Sequence, residues 1–113
     1  MKFFTHYIIL TVLLFHYSCA ENPEVHISQT IMFEGKLYKM DSKDPFSGIV
    51  YNTYPNGQRE YSGEYKKGNP NGLLIYWYEN GNKKREGQLK NGIPVGKWVT
   101  YNDDGSVQET IDH

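Results

Sequence analysis

Glycine returns at a fixed interval along this chain. Gly48, Gly72 and Gly96 stand 24 residues apart, as do Gly57, Gly81 and Gly105, and the pairs Gly63/Gly87 and Gly68/Gly92 keep the same step. Glycine is the residue that takes positive φ or lets backbones approach closely, so glycines in phase mark one supersecondary unit built repeatedly. The chain is therefore constrained to a repeat architecture.

The copies align without gaps. GIVYNTYPNG (Gly48 to Gly57), GLLIYWYENG (Gly72 to Gly81) and GKWVTYNDDG (Gly96 to Gly105) each run from a Gly through aromatic and β-branched residues to a turn ending in Gly. The return segments Gln58 to Gly68 and Asn82 to Gly92 match as well, with Gly63 over Gly87 and Tyr65 over Leu89. Asn56-Gly57, Asn80-Gly81 and Asp104-Gly105 are dipeptides that favour type I′ hairpin turns, in which both central residues have positive φ. The sequence thus predicts an all-β fold, consecutive β-hairpin repeats of 24 residues forming an elongated antiparallel meander. Gly48, Gly57, Gly72, Gly81, Gly96 and Gly105 are expected to be its structural turn glycines.

Alternation assigns faces. In the first return strand Arg59, Tyr61, Gly63 and Tyr65 share one side, while Gln58, Glu60, Ser62, Glu64 and Lys66 share the other; Gly87 and Leu89 oppose Lys84, Glu86, Gln88 and Lys90 in the second. Period-two alternation implies one water-facing side. Leu73 to Tyr78 is an unbroken apolar and aromatic run, so that strand carries bulk on both faces, and Gly63 and Gly87 leave room for neighbouring rings to lie over the backbone.

The Gly, the aromatic clusters around Trp77-Tyr78 and Trp98 to Tyr101, and the Asn-Gly or Asp-Gly turn together resemble the MORN-repeat variant. The stretch from Leu37-Tyr38 through Pro45-Phe46-Ser47-Gly48 onward is similar to YwqK-like antitoxins of toxin–antitoxin systems. This resemblance implies a β-hairpin repeat domain and, as one functional option, neutralisation of a toxin.

The first residues are of another kind. Lys2 followed by the apolar run Tyr7 to Phe15 and the small residues Ser18, Cys19 and Ala20 reads as an export signal, because a membrane-spanning helix needs roughly 20 apolar residues and this run is about half that. Residues 1–19 are thus expected to form a signal-peptide helix. Cys19, the chain's single cysteine, stands where a bacterial lipoprotein signal carries its lipidated residue. His16 and Tyr17 depart from that pattern, and cleavage between Ala20 and Glu21 is the alternative, in which Cys19 leaves with the signal. Residues 20–30 read as a polar tether. Residues 31–113 read as the repeat domain, with repeats at about 45–68, 69–92 and 93–113, and Ile31 to Tyr38 as an atypical capping hairpin.

Twelve basic and 13 acidic residues give a formal charge of −1, too weak a field to steer nucleic acid, which is not an expected partner. Beyond the leader the histidines are His26 and His113, which disfavours acid–base or nucleophilic catalysis. No Cys/His spacing suits zinc, and Asp103-Asp104-Gly105 falls where the other copies have turns rather than calcium ligands. The chain is read as a non-enzyme with no catalytic residue, cofactor or metal. Tyr and Trp favour binding interfaces, so Tyr76, Trp77, Tyr78, Trp98 and Tyr101 are expected to form a surface for a protein or envelope polymer. The protein is expected to be exported and held in the cell envelope, through a membrane lipid anchor if Cys19 is acylated, or soluble in the periplasm or secreted if it is not. An immunity protein against a toxin and a purely structural envelope spacer are the alternative functions.

Overall fold

Runs rich in Val, Ile, Tyr and Trp separated by short Gly-containing segments suit half-buried strands, and the computed structural model, which describes residues 22–113, is built from nine of them with no α-helix among the described residues. They are β1 (Glu24–His26), β2 (Thr30–Phe33), β3 (Lys36–Lys39), β4 (Gly48–Thr53), β5 (Arg59–Lys66), β6 (Asn69–Trp77), β7 (Lys83–Lys90), β8 (Ile93–Tyr101) and β9 (Val107–Asp112). Seven form one sheet in the order β1-β4-β5-β6-β7-β8-β9, and β2-β3 form a separate two-stranded sheet. From β4 to β9 every pairing is antiparallel.

β1 corrects two expectations. It runs parallel to β4, with Val25 opposite Val50, so the sheet is mixed rather than wholly antiparallel. The stretch read as a tether over residues 20–30 therefore contributes an edge strand and a core residue. Val25 is the reason: it is the one apolar side chain between Pro23 and His26, and it is buried with Leu37, Phe46 and Val50, against which Tyr61 and Tyr65 pack. The expected signal helix and Cys19 lie outside the described residues.

Two kinds of turn alternate along the meander, and the type I′ expectation falls on the wrong one. At Tyr54–Gln58 the Gly57 amide donates to Tyr54 O (2.9 Å) and the Tyr54 amide to Gln58 O (2.8 Å), a type I turn closed by a glycine bulge at φ 87°. Asn56, Asn80 and Asp104 are not among the positive-φ residues, so the three dipeptides lack the first of the two positive φ values that I′ demands. Tyr78–Asn82 and Asn102–Ser106 repeat the same bonds. The turns with both central residues at positive φ are Glu34-Gly35, Lys67-Gly68 and Asn91-Gly92, joining β2 to β3, β5 to β6 and β7 to β8.

Gly48, Gly72 and Gly96 are likewise strand residues rather than turn residues. Pairing passes from Gly63↔Leu74 to Tyr65↔Pro70, and from Glu86↔Val99 to Gln88↔Val95, so β6 and β8 each bulge, with Gly72 (φ 115°) and Gly96 (φ 66°) in the extra stretch. Glycine supplies the positive φ that each of these two bulges takes.

The β2-β3 hairpin closes one end of the sheet. Leu37 donates its amide to Gly68 O (3.0 Å) and accepts from the Phe46 amide (2.8 Å), while Gly68 donates to Phe46 O (2.8 Å). These bonds seat Leu37 and Phe46 over Val25 and Val50.

Candidate interaction face

Cross-strand register shows which side chains share a side. One row reads Asn52, Tyr61, Tyr76, Arg85, Thr100; the next reads Val50, Gly63, Leu74, Gly87. Leu74 and these glycines make a low floor on which rings lie flat. A Cβ at Gly87 would overlap the Trp98 indole, and one at Gly63 the Tyr61 phenol, so the absent side chains are what admit the rings. Trp98 is held there by Nε1 donating to Gln88 O (3.1 Å) and by the Arg85 guanidinium 5.0 Å from its ring centre. Tyr61 and Tyr76 lie 5.3 Å apart, ring to ring. Burial first, and then the neighbouring Tyr65, raises the Tyr61 hydroxyl above the ordinary phenol range, keeping it a neutral donor.

The five aromatics expected to form one surface do not do so. Trp98 is only 4% exposed because Gly87 opens a slot for it, which makes it a core residue. Trp77 pairs with Lys83 and Tyr101 with Val107 on the opposite side of the sheet. The Tyr78 hydroxyl is used inside the fold, donating to Tyr101 O at 2.7 Å. Tyr76, at 38% exposure, is the exposed one of the five, and the residues that share its side are Tyr61, Tyr65 and Arg85. Tyr61 and Tyr65 were signalled by the alternation in β5; Arg85 was hidden in a basic run that read as solvated strand.

The opposite side sets charged groups among apolar and aromatic ones, with Glu86 between Ile75 and Val99. Lys83 Nζ meets Glu86 Oε2 at 2.6 Å, which raises the lysine's pKa, and Tyr101 donates to Glu86 Oε1 (3.3 Å). Arg59 stands 4.4 Å from the Tyr51 ring centre and 2.6 Å from Glu24 Oε2. This places Arg59 across the sheet from Tyr61, contrary to the alternation reading, because Arg59 pairs with Thr53 and Tyr61 with Asn52, leaving Glu60 as a bulge.

A ladder of donors joins the three type I turns. Tyr54 donates to Trp77 O and Tyr78 to Tyr101 O, both at 2.7 Å; Asn56 Nδ2 donates to Glu79 O (3.1 Å) and Asn80 Nδ2 to Asp103 O (2.8 Å). In the third turn Asn102 replaces the tyrosine and Asp104 replaces the asparagine. A carboxylate donates nothing, and Asp104 instead accepts from the Ser106 hydroxyl (2.5 Å) and amide (2.8 Å).

Those bonds lower the Asp104 pKa, the Ser106 side chain contributing most. A depressed carboxyl stabilises the fold above its unfolded pKa, near about 4, and that contribution is lost as pH falls through the folded value. Ser106→Ala is expected to move the Asp104 titration upward toward the ordinary range in a carboxyl NMR titration. An unmoved midpoint would show that the serine does not hold it.

Among the described residues no three His, Cys, Asp or Glu side chains converge as metal ligands. No known family, curated protein or solved structure matches the chain.

Proposed function

We propose that this protein is a non-catalytic, exported binding module built from 24-residue hairpin repeats of MORN-like type and anchored in the cell envelope through a lipid on Cys19. The observation that carries the binding role is the side bearing Tyr61, Tyr76 and Arg85: Tyr76 and Arg85 are exposed and Tyr61 half-buried, next to a ring layer that is already packed. Rigid aromatics beside an arginine offer contact area at little entropic cost, and such residues dominate binding energy at protein interfaces. The partner is a protein or an envelope polymer that lies across β5 to β7.

A photo-crosslinking residue at position 76 tests the role. It is expected to capture one discrete partner in the cell envelope, while the same group at Gln88, exposed on the opposite side, captures none. Arg85→Ala is expected to weaken that capture roughly tenfold, as loss of an interface arginine does. Equal capture from both sides, or none from position 76, would exclude this face. The intact mass of the mature protein tests the anchor separately: it begins at an acylated Cys19 or it does not.

A further inference from the structure

Large exposed apolar side chains are not spread evenly over the described residues. Five of the ten, Ile27, Ile31, Met32, Phe33 and Met40, fall in the short stretch that builds and flanks the β2-β3 hairpin, with Met32 61% and Phe33 60% exposed. Leu37 goes the other way, 5% exposed and bonded into the core. The hairpin therefore uses one side to close the fold and leaves the other bare: Ile31 sits opposite Tyr38 and Phe33 opposite Lys36 on the bare side, while Met32 sits opposite Leu37 on the other, and the Phe33 and Tyr38 rings lie edge-on at 6.3 Å. A concentration of apolar groups like this marks a contact surface rather than ordinary surface scatter.

We infer that this side of the hairpin inserts into the outer layer of the lipid bilayer to which the chain is tethered. The inference rests on the anchor reading above. Four residues lie between Cys19 and Glu24, and the five chain steps span at most about 3.6 Å each, so the start of β1 stays within roughly 18 Å of an acylated Cys19. β1 leads through a single 3-10 turn (Ile27–Gln29) directly into β2, which keeps the hairpin close along the chain to the tethered end. Tethering turns insertion into an intramolecular step with a high effective concentration, so a small apolar patch suffices. The side chains match an interfacial site: Ile31 and Phe33 supply apolar bulk, Tyr38 a ring with a polar tip, and Lys36 a stem that lies along acyl chains while its ammonium group stays in water. The charges of Lys36, Lys39 and Lys43 are balanced by Glu34, Asp41 and Asp44. Insertion is thus driven by burial rather than by anionic lipid, and it persists in zwitterionic membranes and at high salt.

The full chain, expressed in a host that processes its signal and carrying Phe33→Cys, offers one reactive thiol whether Cys19 is acylated or removed. A fluorophore there, in phosphatidylcholine vesicles containing spin-labelled lipid, reads insertion; the same label on Asp103→Cys in the third turn is the control, and intact mass is read in parallel. The expected result is an acylated protein with position 33 quenched by the lipid and position 103 unquenched, unchanged by added salt. Ile31→Ser is expected to abolish the quenching without altering the far-ultraviolet dichroism, since that side chain is exposed on the bare side of the hairpin. An acylated protein with position 33 no more quenched than 103 overturns the insertion and leaves the anchor standing. A protein without acyl groups whose position 33 is still quenched on adding vesicles upholds the insertion and overturns the anchor. Shielding of position 33 in the absence of lipid, from a second copy or another protein, overturns the inference, as does the lack of both acylation and vesicle binding.

Discussion

Gly87→Val is expected to lower stability by about 3 kcal/mol or more, a large effect for a position with no side chain and no special backbone. Gly87 is absent from the positive-φ residues, so strain in the main chain is not the cause. The cause is Trp98, whose indole occupies the space any Cβ would take. The ring would have to leave its slot, exposing the largest aromatic in the core, and truncating a buried Trp or Phe costs about 3–5 kcal/mol. Its bond to Gln88 O and the stacked Arg85 would be lost in the same movement. Urea unfolding reads the loss as a lower midpoint at unchanged slope. A double-mutant cycle makes the argument sharper. In a Trp98→Ala background the valine meets an empty slot, so the two losses should fall short of additivity by about 2 kcal/mol, near the upper range for residues in contact. Additive losses, or a Gly87→Val protein as stable as its parent, would mean that the glycine and the ring do not share this space.

That pair also shows what the sequence could and could not disclose. Room for a ring over Gly63 and Gly87 was legible, because a missing side chain every 24 residues in an otherwise alternating strand has few other uses. Which ring fills it was not, since Trp98 belongs to the next strand and its burial depends on pairing across β7 and β8. The same limit explains why five aromatics read as one surface. Trp77 and Tyr76 are neighbours and must face opposite ways, and each bulge shifts the alternation again, as at Glu60, which separates Arg59 from Tyr61. Turn chemistry misled for a local reason. Asn-Gly or Asp-Gly serves either a two-residue I′ loop or the last two positions of a type I turn with a glycine bulge. All three dipeptides take the second form with or without a preceding proline, whereas Lys67-Gly68 takes positive φ at both positions with a residue that gives no such signal. β1 was hidden because a three-residue strand pairing parallel with β4, more than twenty residues on, has no periodicity to betray it.

Gly68 and Gly92 permit a test of how the hairpin is docked, because they are one position seen twice. Both follow a residue at positive φ, both lie near φ 80° themselves (81° and 79°), and each donates its amide to a carbonyl earlier in the chain, Phe46 O and Pro70 O, at 2.8 Å. Alanine at either position carries the cost of a Cβ in the left-handed region, about 1–2 kcal/mol. Their surroundings differ. A Cβ at Gly92 would meet nothing within 4 Å, whereas at Gly68 it would lie 2.8 Å from Lys36 Cβ and 3.1 Å from the Leu37 amide nitrogen and carbonyl oxygen. Those contacts are mostly backbone, so no rotamer change relieves them; β3 must move away, drawing Leu37 out of the core and lengthening its bond to Gly68 O. Overpacking of this kind adds about 1–3 kcal/mol. Gly68→Ala is therefore expected to destabilise by about 2–4 kcal/mol and Gly92→Ala by only the backbone cost. The Leu37 amide should lose hydrogen-exchange protection in the first variant alone, because the damage begins where β3 meets the sheet. Equal losses from the two alanines would show that the hairpin does not rest on Gly68 and that Leu37 is buried by some other arrangement.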